Sequence, residues 1–354
     1  MAQAVAAPPA SRPVVTRRLT PSRIIVLGII AGGVLVYPKL GSGVAADRFT
    51  LAVIYAIVGL SVNILMGYAG QISLGHQAFV GVGAFSAAYL TTKGGLPIVL
   101  SVPLAALIGG LIAALLGLVA LRIQGLYLAL ITLAYGAVAE RTIFGIRELT
   151  GGGGGMPALR PEFFTSDASY SYVCLAVLAL LVFVDWRMLR SKFGRALLAL
   201  KSNENVAASF GMNLVFYKVG AFVMAGIVAG LAGGLLAFRE QHVVSADFTF
   251  TLALTFVIMT VIGGLGNRTG VILGSAFTAY LPFILNKISD WTGSSRVIVL
   301  RIAITAILLL LTLTKTPGGI GQQIHPLTEW LSGKPFPRHN KGHGRKRKVK
   351  TEAA

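Results

Sequence analysis

Long apolar runs joined by short polar or glycine-rich loops dominate this chain. A helix that crosses a bilayer needs about 20 mostly apolar residues, because in lipid the backbone N–H and C=O groups must be satisfied within the segment. Ten stretches meet that requirement approximately: Ile24–Leu40, Phe49–Met66, Ala78–Thr92, Pro97–Leu121, Gln124–Ile143, Tyr170–Met188, Leu214–Phe238, Phe248–Leu265, Val271–Asn286 and Val297–Leu313. The pattern predicts an all-α polytopic membrane protein of about ten transmembrane helices. Residues 24–315 form its membrane domain, between a basic tail at 1–23 and a second basic tail at 316–354.

Composition agrees. Of 354 residues, 55% are apolar and only 12% charged, against roughly 25% charged in a soluble domain. A soluble globular enzyme is excluded. The 43 glycines suit membrane helices better than a soluble helical core. One cysteine, Cys174 in an apolar run, rules out a disulfide framework and a cysteine metal cluster and reads as a buried structural thiol.

The formal charge of +19 (31 Lys+Arg, 12 Asp+Glu) sets the expected topology. Positive loops stay cytoplasmic, and both tails are basic, from Arg12, Arg17, Arg18 and Arg23 to the cluster Arg345–Lys350. An even number of spans then places both termini inside. On that map 21 Lys+Arg and 4 acids lie inside, with 10 and 8 outside, so the inner face carries +17 and the outer +2. The first span, followed by Val44-Ala45-Ala46, also has features of a signal peptide, but reads better as a peripheral first helix. The tail after Pro335 has almost nothing to bury and is expected to be disordered beside an anionic inner leaflet, with no nucleic-acid role.

Two interruptions stand out. Between the second and third spans, Gly67-Tyr68-Ala69-Gly70-Gln71-Ile72-Ser73-Leu74-Gly75-His76 breaks otherwise apolar sequence. At membrane depth such a break is tolerated only where protein or a water-filled path satisfies its backbone, so it reads equally as a path lining and as a cytoplasmic turn. The second half offers Gly263-Gly264-Leu265-Gly266-Asn267-Arg268-Thr269-Gly270, which reads as a turn. Paired interruptions point to a transporter built from two pseudo-repeated halves. Gly226, Gly230 and Gly234, like Gly109, Ala113 and Gly117, repeat at four-residue spacing on one helix face, the pattern of close helix packing in lipid. Gly151–Gly155 is expected to be a flexible outer loop able to meet substrate or a partner.

Between the sixth and seventh spans about 25 residues leave the membrane, with Arg187, Arg190, Lys192, Arg195 and Lys201 followed by Asn203-Glu204-Asn205. Helical propensity and a stop at Gly211 predict a short amphipathic element on the cytoplasmic face. It serves either as a surface helix at the headgroups or as a docking element for a soluble partner. No phosphate loop, zincin or nucleophile-elbow motif is present, and the five histidines are scattered. No catalytic residue, metal site or cofactor is expected. Ionisable residues within spans are few (Glu140 and Asp185, both near span ends), which argues against proton- or sodium-driven transport.

The stretch Gly59–Phe79, read as GLSVNILMGYAGQISLGHQAF, closely resembles the signature of permease subunits of branched-chain amino acid ABC transporters of the LivM type. Leu121–Ala134 with Leu149-Thr150-Gly151-Gly152, then Phe193–Ala196 with Asn203-Glu204 and Ala207–Gly211, then Val261–Gly270, agree in the same order across roughly residues 50–315. The resemblance implies an inner-membrane importer with a second homologous permease subunit, two cytoplasmic ATP-binding subunits, an extracytoplasmic solute-binding protein and an amino-acid substrate. The segment 194–211 would be the cytoplasmic coupling helix, with Gly194, Arg195, Asn203, Glu204 and Gly211 at the ATPase contact. Asn63, Gln71, Ser73 and His76 would be path or hinge residues. The family also carries urea, short amides and aromatic acids; an ATP-independent carrier or channel, a membrane enzyme and an inert assembly subunit are the rival classes.

Overall fold

The computed structural model describes residues 32–39, 43–120, 123, 125–160, 164, 166–292 and 318–323, with 28 and 307 singly. Residues 31–323 gather into one unit; residues 1–30 with 324–354 form a second, of which only Gly28 is described. The basic tail at 1–23, the tail at 316–354 apart from residues 318–323, nearly all of the span expected at Val297–Leu313 and most of the first half of that at Ile24–Leu40 therefore lie outside the described residues.

A short helix α1 (residues 32–39) precedes α2 (Gly43–Val62), which continues into a π-helical turn, Asn63–Tyr68. After the break come α3 (His76–Thr92), α4 (Ile98–Ala120) and α5 (Leu126–Arg141). A one-turn α6 (Arg147–Thr150) leads to the strand β1 (Met156–Pro157). The long α7 (Asp167–Arg190) is followed by α8 (Lys192–Ser202) and α9 (Glu204–Ser209). Then come α10 (Leu214–Glu240), β2 (His242–Val243), α11 (Phe250–Gly263) and α12 (Arg268–Thr292). The predicted all-α membrane architecture holds: seven helical stretches among the described residues, those of α2, α4, α5, α7, α10, α11 and α12, are long and apolar enough to cross a membrane. The span expected at Ala78–Thr92 is α3, a helix of 17 residues.

The core lies around α2 and α10. Their apolar windows are 78% buried, against 28% for that of α5 and 22% for that of α7, which present Leu126, Leu130, Leu180 and Phe183 outward. Small residues let α10 sit at the centre. Gly226 faces Gly109 and Ala113 of α4, and Gly230 faces Ala105 and Ala106 of α4 as well as Gly83 of α3. A Cβ on Gly83 would lie 2.5 Å from the Gly230 Cα, so these backbones meet with no side chain between them.

Contacts between distant loops sort into two sets, and each set joins only loops that the charge map puts on one side. At the end expected to face outward β1 pairs antiparallel with β2 (Met156 opposite Val243, Pro157 opposite His242), and Thr92 Oγ1 donates to Pro157 O at 2.7 Å. Arg160 donates to Phe238 O at 2.7 Å and to Asp167 at 2.6 Å, and stacks over Tyr170 at 4.5 Å; Arg239 pairs with Asp47 at 2.6 Å.

Gly151–Gly155 is not the flexible loop its composition predicts. Positive φ at Gly151, Gly152 and Gly155 (77°, 65° and 70°) winds it into a tight 3₁₀ connection. Thr150 Oγ1 accepts from Gly152 N at 3.3 Å, His242 Nε2 hydrogen-bonds Gly154 O at 2.7 Å, and the β1–β2 pairing fixes its far end. Glycine is used here for backbone angles that other residues avoid.

Candidate functional site

At the opposite end of the helices, the one expected to face inward, the two interruptions meet. The last turn of α2 widens into the π-helical turn, with Ala69 N donating to Ile64 O at 3.1 Å and Gln71 N to Leu65 O at 2.9 Å. Widened turns of this kind inside helices are frequent at functional sites. Asn63 folds its side chain across Gly67, where a Cβ would collide with Asn63 Oδ1, and accepts from Gly266 N at 2.7 Å. That hydrogen bond joins the first break to the turn Gly264–Asn267, whose Gly264 and Gly266 have φ of 106° and 87°.

A third element enters the same junction. Lys201, in the last turn of α8, donates Nζ to Gly67 O at 2.7 Å, and its stem lies against Gly70, where a Cβ would be 3.0 Å from Lys201 Cγ. Beside it Tyr68 donates to Asp185 Oδ2 at 3.2 Å, and Arg268 Nε forms an ion pair with the same oxygen. The junction therefore draws on α2, the C-terminal end of α7, α8 and the start of α12.

Deeper in the break, His76 opens α3 and meets Ser61 Oγ through Nε2 at 2.8 Å. Ser61 has one proton, and it is directed to Ala225 O at 2.6 Å. The imidazole must then donate from Nε2, which leaves Nδ1 as an unprotonated acceptor. Leu74 N donates to Thr132 Oγ1 of α5 at 2.9 Å. Gly75 packs so tightly on Thr132 O that a Cβ would collide with it.

The four residues expected along the path are all buried: Asn63, Ser73 and His76 at 0% exposure, Gln71 at 5%. Polar atoms here lack a hydrogen-bond partner among the described residues: Asn63 Nδ2, Gln71 Oε1, Ser73 Oγ, His76 Nδ1, both amide atoms of Gln77, and Tyr135 Oη of the facing α5. Each such group costs about 1–3 kcal/mol when nothing satisfies it. Their concentration between residues 63 and 77 and on α5 marks the break as the most frustrated polar region described.

The residues expected at a partner contact lie on α8–α9. Gly194 is buried where α7 turns into α8; a Cβ would be 2.5 Å from Leu189 Cα. Arg195 is exposed and donates to Arg190 O at 2.8 Å. Asn203 caps α9, accepting from Val206 N at 3.1 Å, and separates α8 from α9, so the single predicted helix is two. Glu204 forms an ion pair with Lys218 of α10 at 2.6 Å, where Lys218 is 2% exposed. Gly211, at φ 77°, ends the segment. Leu198, Val206 and Phe210 are exposed, Phe210 at 82%. Of the residues chosen for packing, Gly226 and Gly230 contact α4 backbone, while a Cβ on Gly234 would meet Ala87 and Val102 only at 3.4 Å.

Sequence reasoning did not select Lys201, Tyr68, Gln77, Tyr135 or Lys218 as site residues. Lys201 looks like one more cation in a basic loop, and its partner lies 134 positions away. Asp185 and Arg268 stood out individually as a charge in a span and a charge in a break, with nothing in the sequence to pair them.

Residues 44–313 match the protein family described as the permease component of branched-chain amino acid transport systems. The chain is 29% identical over 284 residues to the high-affinity branched-chain amino acid transport system permease proteins LivM of Salmonella typhimurium and Escherichia coli, covering 72% of this chain and 67% of each relative. It is 25% identical over 260 residues to the probable branched-chain amino acid transport permease protein LivM of Methanocaldococcus jannaschii, covering 62% of this chain and 75% of that one. No solved structure matches.

Proposed function

Since the chain belongs to the permease-component family of branched-chain amino acid transport systems, we propose that it works as a membrane permease subunit of an ATP-driven importer for leucine, isoleucine and valine. Its partners in this reading are a second, homologous permease, two cytoplasmic ATPase subunits and an extracytoplasmic solute-binding protein. The termini and α8–α9 face the cytoplasm, in keeping with the distribution of Lys and Arg. ATP hydrolysis belongs to the partners.

The observation that carries the coupling is the Lys201–Gly67 hydrogen bond, with Asn63–Gly266 beside it. One side of α8–α9 offers Arg195, Leu198, Val206 and Phe210 to a soluble partner. Its last turn grips the break. When nucleotide draws the two ATPases together, α8–α9 moves as a rigid piece. Lys201 carries Gly67 with it, and the 264–267 turn follows through Asn63. Binding of nucleotide thus shifts the population between inward- and outward-open arrangements. Asn63 acts as a hinge in this scheme, and Gln71, Ser73 and His76 line the path.

The test is uptake into proteoliposomes holding the assembled importer, with ATP, binding protein and labelled leucine. Lys201→Met should lower uptake about ten- to a hundredfold, the worth of a charge-assisted hydrogen bond of about 1.5–3 kcal/mol, while ATP hydrolysis persists. Lys201→Arg should restore part of it. Leucine transport by this chain alone, without nucleotide or partners, would overturn the importer reading.

A further inference from the structure

The polar atoms left without protein partners around the break are concentrated on two neighbouring segments. Gln71, Ser73, His76 and Gln77 sit on one short stretch that runs into α3. Tyr135 faces them from α5: its ring packs on Phe79 at 5.6 Å, and Phe79 packs on His76 at 5.5 Å. Gly136, next to Tyr135, lies so close that a Cβ there would collide with Gln77 Nε2. Gln71, Ser73, His76 and Gln77 are each 95% or more buried. All five groups are uncharged: two amides, an aliphatic hydroxyl, a phenol and an imidazole whose Nδ1 accepts. The two segments that carry them are uncharged too, since no Lys, Arg, Asp or Glu occurs from Phe49 to Thr92 or from Ile123 to Ala139; the charges that reach the break from elsewhere are engaged, Lys201 with Gly67 O and Asp185 with Arg268.

We propose that Gln71, Ser73, His76 and Gln77, with Tyr135 across from them, form a substrate-contacting patch that takes a net-neutral amino acid through neutral hydrogen bonds. The proposal rests on the importer reading and extends it to Gln77 and Tyr135 and to the way a neutral solute is held. A zwitterion presents its ammonium and carboxylate close together, and fixed dipoles of both signs solvate it without a charged partner. A solute with a further charge on its side chain finds no free counter-ion on these two segments and keeps most of its desolvation cost. The same logic explains why groups that weaken the fold are present at all: their partners arrive with the solute, and neutral bonds of modest strength let it leave.

Tyr135→Phe separates this role from a structural one. It removes only Oη and keeps the ring against Phe79. If the hydroxyl contacts substrate, leucine uptake by the assembled importer should fall about three- to tenfold, the worth of one neutral hydrogen bond, while the thermal midpoint stays level or rises because an unsatisfied buried group has gone. Unchanged uptake, or a lower midpoint accompanying the loss, overturns the proposal. A second measurement does not depend on ATP. In the assembled Cys174→Ala importer, Ser73→Cys should react with a small permeant thiol reagent, and leucine should slow that reaction more than lysine does. No reaction, or equal slowing by both, also overturns it. Wild-type uptake reports on the importer reading alone, and variant-to-wild-type ratios and the labelling report on the patch.

Discussion

Asp185 and Lys218 are the charged residues most completely buried among those described, at 4% and 2% exposure, and each has one oppositely charged partner. Their partners are less buried: the Arg268 side chain is 19% exposed and that of Glu204 23%. Truncation should therefore have unequal effects. Arg268→Ala leaves the carboxylate of Asp185 buried with only Tyr68 to solvate it and should lower stability by about 3–5 kcal/mol. Asp185→Ala leaves a guanidinium nearer to water and should cost less. The double variant should cost less than the sum, because the second truncation removes the charge that the first left unpaired. Thermal unfolding of the four proteins in detergent would check all three statements. These pairings could not be read from the sequence, since pattern reveals which residues are unusual in an apolar setting but not which distant residue compensates them. Asp185 and Arg268 are 83 positions apart and Asn63 and Gly266 are 203 apart. The break itself was readable, because three glycines with Gln71, Ser73 and His76 violate apolar continuity locally, where sequence is most informative.

Among the helices, the contact of α10 with α3 and α4 sets a test of packing. Gly83→Ala would push a methyl into the backbone of Gly230 and should destabilise by about 1–3 kcal/mol through overpacking. Gly234→Ala, with its nearest atoms at 3.4 Å, should be tolerated although it belongs to the same four-residue series. Comparison of the two midpoints distinguishes a close backbone crossing from a glycine that merely repeats. The spans and this glycine face were readable because length, apolarity and i, i+4 spacing report on environment directly. Three features were not. The division of α8 from α9 depends on Asn203 adopting an extended backbone to cap Val206. The order in Gly151–Gly155 comes from His242, nearly 90 residues on, and from Thr150. The β1–β2 pairing joins two-residue segments too short to carry any alternation.

For the molecule as a whole, the proposed orientation has a direct test. Gly154 is exposed with nothing within 4 Å of an added Cβ, and it belongs to the end proposed to be outer; Phe210 is exposed at the end proposed to be inner. In a Cys174→Ala chain within intact cells, Gly154→Cys should react with a membrane-impermeant thiol reagent and Phe210→Cys should react only after the cells are opened. The reverse pattern would invert the topology and place α8–α9 beyond reach of any ATPase.

The pairing of β1 with β2 and the fork of Arg160 tie the start of α7 and the end of α10 into one knot at the end proposed to be outer. In the proposed transport scheme that knot would be a fulcrum. α10 has 27 residues, and at about 1.5 Å per residue its inner end lies about 40 Å away. A tilt of about 5° about the knot then displaces the inner end by about 3.5 Å. Such a tilt leaves a two-residue ladder at the pivot almost undisturbed. At the far end it is large beside the 2.7 Å hydrogen bond between Lys201 and Gly67. A stroke of that size leaves the break two choices, to travel with α8 or to let go of it.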